Sequence, residues 1–506
     1  MSPVPLGQDY PRLEITVVAF PAQFSALFVR PAGLVESEWP ATQITYLGEY
    51  LLQLGCQTVV VESHYVDRDY ISDVAAFYSR SLRAYQNYCY RLHFFKEAFD
   101  QKRWGDLVVG ESHSRPANLT FLQTTYLGFC VVRPLAGSPI GRTVVPTLGS
   151  QSASGHRRQF ATLRDYVVHL AGFELRVQGL GFQQQDQGVS ACATTALWSA
   201  IHGIAHREGL SIPTPADITQ AASRYFLPGG RALPSEGLTV HQMCEAIRAS
   251  ELAPLVVPSI SVSSDKAQLL SYLSSGFAPV LALQPLQGGS GHAVCAVGIK
   301  LGSMEPQSDP NLHFRDASTA LLGIYIHDDR LGPYASADVY SYTQTVDKIR
   351  TALRITWPGQ DVEAEHAVLL SMVVPVPTKL RLSVTRMREL GLAIAESAGQ
   401  IYSQFNRAVT LTTRYRKGTE YRELAASFGL SGDGLYKVTC GLVLSRYVGV
   451  IEITVPDGPL FDVLLDATET NANPAALACV RRHLLPKGGE SALAAIALKL
   501  GAVLIA

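Results

Sequence analysis

The sequence predicts an α+β fold in three regions, with helices preceding strands in the central one. Three observations carry that prediction. Residues 159–375 hold four stretches of helical periodicity, followed by three apolar runs of strand character. Residues 1–158 alternate strand-like and helix-like stretches and read as an N-terminal α/β domain with no assigned role. Residues 376–506 mix both types and read as a C-terminal α+β domain or extension. With 506 residues, 47% of them hydrophobic, the chain is too long for one core and too apolar to be disordered.

In the first region, residues 13–20 and 58–62 are predicted as buried strands, 46–54 and 74–96 as helices, and 129–134 as a further strand. No nucleotide-binding fingerprint occurs there. The small polar run GSQSASG at 149–155 marks a loop or boundary. The central region opens with a helix at Cys192 that carries Leu197, Ala200, Ile201 and Ile204 on one face. A second helix follows Pro215, a third follows Thr239 as N-cap, and a fourth covers 265–273 and ends near Gly276. Strands are expected at 279–283, 292–299 and 322–328. The last region is predicted to hold helices at 385–396 and 421–428 and strands at 442–448, 449–455 and 460–466. The apolar tail 491–506 is short and interrupted by Lys499, which fits a buried terminal helix or strand better than a membrane span. No internal repeat of solenoid period is present.

Composition narrows the function. A net charge of −1 supplies no global field for nucleic acid or an anionic membrane, so neither a nucleic-acid partner nor stable membrane insertion is expected. Eight cysteines (Cys56, Cys89, Cys130, Cys192, Cys244, Cys295, Cys440 and Cys479) are too few for a disulfide scaffold, and none forms a CxxC pair. No metal or other cofactor is expected. The N-terminus lacks the basic and apolar segments of a secretory signal, so a cytoplasmic location with free thiols is the expectation.

The strongest chemical signal is Gln187-Gly188-Val189-Ser190-Ala191-Cys192. A cysteine opening a helix has its thiolate favoured by the helix N-terminus, and a glutamine just before it can donate to a developing oxyanion. A thiol nucleophile needs a base, and the base needs an orienting group. His292 heads an apolar strand after the turn Gly288-Gly289-Ser290-Gly291, and alternation turns Cys295 to the opposite face. Ile324-Tyr325-Ile326-His327 leads into Asp328 and Asp329, either of which could fix the imidazole tautomer.

In this order the residues resemble the papain-like cysteine peptidases, and within them the C39-like branch, which includes leader-peptide peptidases of bacterial exporters. Gln187, Cys192, His292-Ala293-Val294 and the strand ending in Asp328 carry the resemblance, within residues 159–375. It implies a papain-like core, a nucleophile helix followed by an antiparallel sheet. The implied roles are Cys192 as nucleophile, His292 as base, Asp328 as orienter and Gln187 as oxyanion donor. The chain departs from the pattern at Ala193, where glycine is usual, and in the polar insertion 302–319. Gln187 is also one residue closer to the cysteine than is common, so Gln185 stays an alternative donor.

The function expected from this is a thiol peptidase cleaving a peptide or isopeptide bond in a protein or peptide substrate through a Cys-His-Asp triad. An acyltransferase or transglutaminase would use the same triad, and a non-catalytic peptide-binding scaffold would use the same fold. Other motifs read as structural. His202 and His206 have zinc-compatible spacing but lack the glutamate of HExxH. Arg414-Tyr415-Arg416-Lys417 reads as a solvated loop or helix start, and Asp466 and Glu469 as caps. The oligomeric state is not legible in the sequence.

Overall fold

The computed structural model describes residues 14–32, 41–110, 113–152, 154–186, 191–224, 237–303, 313–345, 348–356, 364–403, 408–470, 476–482 and 489–505. The chain is a mixed α and β protein. Its first sheet comprises β1 (Ile15–Ala19), β2 (Thr58–Tyr65), β3 (Cys89–Phe95), β4 (Tyr126–Val132) and β5 (Ile140–Val144), paired in that order. Strands and helices alternate along the chain as expected, yet every pairing in this sheet is antiparallel. The region is therefore α+β rather than α/β. Each connection returns at the end where the previous strand finished, so its helices never act as the crossover that parallel pairing needs.

The helix predicted over 74–96 is also corrected. Asp67 caps a helix over Arg68–Ala76, a short 3₁₀ turn follows at Tyr78–Arg80, and the apolar remainder is β3. Leu92, Phe94 and Phe95 are all fully buried, so this run has no solvent face and suits a strand covered on both sides.

The central region begins with β6 (Arg157–Gln159) and a hairpin of β7 (Arg164–Leu170) and β8 (Phe173–Gly179). The helix Cys192–Glu208 follows, then helices Pro215–Ala222 and Val240–Ala249, β9 (Leu252–Pro258) and the helix Val262–Ser274. After these come β10 (Val280–Pro285), β11 (His292–Leu301), the short β12 (Phe314–Asp316), β13 (Leu321–Asp328), β14 (Gly332–Thr345), β15 (Lys348–Ile355) and β16 (Glu365–Pro377). All of these except β12 close into a six-stranded antiparallel barrel, sealed where β16 pairs back with β10. β9 adds to β16 and β6 to β11 outside the ring.

β12 leaves the barrel and joins a third sheet, pairing parallel with β17 (Val409–Lys417). That sheet continues through β18 (Tyr447–Val455), β19 (Gly458–Asp466), β20 (Ala476–Arg481) and β21 (Val503–Ile505). The two strands expected at 442–448 and 449–455 are one, beginning at Tyr447. Residues Lys437–Gly441 form a π-helical turn, and Val443 beyond it is exposed, so the apolar run there has nothing to pack against. The tail forms the helix Gly489–Leu500 and then β21. Among the described residues no helix is long and apolar enough to cross a membrane.

Against the expectation from chain length, one apolar core runs through all three regions, with two smaller clusters beside it among the described residues. It joins Leu51 and Phe94 to Trp198 and Val294, and these to Tyr402 and Ile451. The β7–β8 hairpin packs into a second cluster with the outer face of the first sheet. Trp198 is fully buried, so the helix that Cys192 opens is fixed in the shared core.

Candidate active site

Cys192 is the first residue of its helix. Ala191 at the N-cap has no side-chain oxygen to offer the first-turn N–H groups, so it does not itself cap the positive helix end beside the thiol. Leu197, Ala200, Ile201 and Ile204 are buried beneath, as the periodicity predicts, and Cys192 itself is partly exposed.

His292 begins β11 after a turn that places Gly288 and Gly289 at φ +88° and +105°, a conformation only glycine adopts cheaply. The turn folds β11 back on β10 so that His292 pairs with Leu283. β13 is the next strand of the barrel, and its last residue, Asp328, meets the ring. His292 Nε2 donates to Asp328 Oδ1 at 3.0 Å, while Asp329 Oδ1 stands at 3.9 Å. Of the two carboxylates that the sequence leaves open, Asp328 is the one hydrogen-bonded to His292. With Nε2 engaged, Nδ1 is the ring nitrogen left for Cys192.

Arg330, which the sequence reading missed, locks the carboxylate. Its backbone N–H donates to Asp328 Oδ1 at 3.0 Å, and its guanidinium contacts both oxygens at 3.3 and 3.2 Å. It also pairs with Glu365 at 3.0 Å. The one available signal was its place two residues beyond Asp328, within reach of that side chain.

The electrostatics follow from burial set against these partners. Burial opposes a charged ring at His292, but the charge and hydrogen bond of Asp328, a hydrogen bond with Cys192 and the charge of Asp329 outweigh it. The ring's pKa is raised to about 10. Burial works against ionised Asp328 too, and His292 and Arg330 overcome it, holding the carboxyl well below its usual range. Burial and the charge of Asp328 push Asp329 up to about 6, tempered by His292.

Cys192 and His292 open onto one cleft of about 410 Å3. Its walls include Leu238, Thr239, Met243, Leu283 and Leu370, and no charged side chain other than His292 lines it among the described residues. Thr239 caps the helix Val240–Ala249 in a capping box with Gln242, which stiffens this wall by about 1 kcal/mol.

The remaining predicted residues fall as follows. Gln187 lies outside the described residues. Gln185 is part-exposed and does not line the cleft. Cys295 is fully buried and its thiol is pushed up by burial. His202 is buried against Trp198 with Nδ1 at 3.2 Å from the Tyr166 hydroxyl, while His206 is exposed. The only group of three or more metal-capable side chains among the described residues is His292, Asp328 and Asp329. The Arg414–Lys417 run is not a loop but the end of β17. Tyr415 is buried, and Arg414 and Lys417 pair with Glu452 at 2.7 Å and Glu208 at 3.0 Å. Asp466 accepts from the Thr468 N–H at 2.8 Å, as a cap should.

The segment that leads to Cys192 is stitched to the N-terminal sheet. Thr143 and Phe182 exchange backbone hydrogen bonds, and the Gln184 N–H donates to Ile140 O at 3.0 Å. The buried Arg133 donates to Gln184 O at 2.9 Å, and Tyr334 accepts from the Leu180 N–H at 2.8 Å. No known family model and no curated protein matches the chain.

Proposed function

We propose that the chain is a cysteine hydrolase of papain-like type that cleaves a peptide or isopeptide bond with Cys192, His292 and Asp328. The observation that carries this reading is His292, hydrogen-bonded through Nε2 to a buried carboxylate and opening with Cys192 onto one cleft. The order of a nucleophile helix followed by an antiparallel barrel supports a papain-like core.

In this mechanism His292 holds a proton, consistent with its raised affinity, and Cys192 reacts as the thiolate. The thiolate attacks the substrate carbonyl, and the carbonyl electrons move to oxygen. The Cys192 N–H and the Gln187 amide hold that oxyanion. His292 passes its proton to the leaving amine, the C–N bond breaks and a thioester remains. Water, deprotonated by His292, then attacks the thioester, and the thiolate leaves with the acid released. The uncharged apolar cleft walls favour an uncharged, apolar side chain beside the scissile bond.

A panel of peptides with apolar residues, assayed by intact mass, tests the reading. Products heavier by one water that are absent with Cys192→Ala support hydrolysis. Products heavier by an added amine would support transfer instead. Full turnover by Cys192→Ala would sink the reading.

A further inference from the structure

Asp329 stands beside Asp328 and faces the same imidazole nitrogen, with Oδ1 3.9 Å from His292 Nε2. Its side chain is 2% exposed, and neither carboxylate oxygen has a hydrogen-bond partner among the described residues. A buried carboxylate so placed is costly and rare in a folded chain. Asp328, by contrast, is fully committed. It accepts the His292 hydrogen bond and three from Arg330. Its charge is shared between His292 and that guanidinium, which also pairs with Glu365. Asp329 is the second carboxylate within reach of an imidazolium at position 292, and the one with no other hydrogen-bond partner among the described residues.

We propose that Asp329 is a second positioning residue for His292, which strengthens the ring's hold on its proton and takes over Nε2 when Asp328 is lost. Closing the gap to a charge-assisted hydrogen bond needs a movement of about 1 Å. The charged and titratable groups around the ring are few. Cys192 faces it from its helix, Asp328, Asp329 and Arg330 from the end of β13, and Glu365 on β16 acts through Arg330. Tyr46, from the helix Ala41–Gln53, senses the charge of Asp328. The consequence for Cys192 rests on the triad reading above, whereas the effect on the ring is measured separately.

Four full-length chains test this: wild type, D328N, D329N and D328N/D329N. One measurement is the NMR titration of the His292 ring, and the other is the alkylation rate of Cys192 by iodoacetamide across pH. D329N is expected to titrate His292 about one unit lower, with its unfolding midpoint unchanged or raised. D328N is expected to alkylate about tenfold more slowly, and the double variant about a further tenfold more slowly. An Asp329 of merely structural use would lower the midpoint on substitution and leave the titration alone. The proposal is overturned if D329N leaves the His292 titration unmoved, or if the double variant matches D328N. Asp329→Glu supplies a second variant that keeps the charge and must keep the wild-type titration. A shifted titration in a chain whose wild-type Cys192 alkylates no faster than its other cysteines would uphold Asp329 and sink the triad reading.

Discussion

His292 Nε2 sits 3.0 Å from Asp328 Oδ1, and the ring opens on the cleft that Cys192 lines. Adjacency of β11 and β13 in the barrel produces this relationship, because it brings the start of one strand beside the end of the other. The pair binds the protein's stability to pH in both directions.

Folding raises the proton affinity of His292 from the ordinary 6.5 to about 10. Stability from that proton is full below 6.5 and is lost as pH climbs through about 10. Asp328 has the opposite sign: its contribution is present above the usual carboxylate range and is lost on acidification. The thermal midpoint should therefore fall as pH rises toward 10, and His292→Gln should flatten that alkaline limb. A wild-type midpoint that falls no more steeply than the variant's would contradict the assignment.

Arg330 joins two carboxylates, one of them fully buried. Arg330→Met leaves Asp328 with His292 as its remaining cation and removes two charge-assisted hydrogen bonds, which should cost about 1.5–3 kcal/mol in urea unfolding. A loss below about 1 kcal/mol would mean that solvent screens the site more than its burial implies.

The N-terminal region should prove inseparable from the site. Arg133 is buried and donates to three backbone carbonyls, one of them Gln184 in the segment leading to Cys192. Removing residues 1–158 would also open the shared core. A fragment of residues 159–375 is expected to give a collapsed NMR spectrum without the dispersion of the full chain. A well-dispersed fragment with a reactive Cys192 would refute this.

The cleft wall should set side-chain preference. Met243→Lys introduces a charge among Leu238, Leu283 and Leu370. Labelling of Cys192 by a peptidyl probe with an apolar residue should slow by about 10- to 100-fold, and an acidic probe should gain. Equal slowing of both probes would point to damage rather than altered selectivity.

The local parts of this account were legible in the sequence. The helix at Cys192, its apolar stripe, the capping residue Thr239 and the strand headed by His292 each follow from short-range pattern. The hairpin β7–β8 is absent from the predicted elements, although the alternation of Tyr166, Val168 and Leu170 is plain in the sequence. The β3 run was misread because a strand buried on both faces carries no alternation. Closure of the barrel through β10 and β16 joins strands about 90 residues apart, which no local pattern encodes. The choice between Asp328 and Asp329 was equally hidden, since β13 ends at Asp328 and alternation says nothing of Asp329 in the turn beyond, so both carboxylates come within 4 Å of the same ring nitrogen.

The most direct test of the central claim is site-resolved alkylation of the native full-length chain, read by mass spectrometry across pH in wild type and His292→Ala. Cys192 should label ahead of the seven other cysteines, at a rate that depends on pH, and His292→Ala should slow it by about tenfold or more. Uniform labelling that follows exposure alone, led by the exposed Cys440 and indifferent to His292, would contradict it.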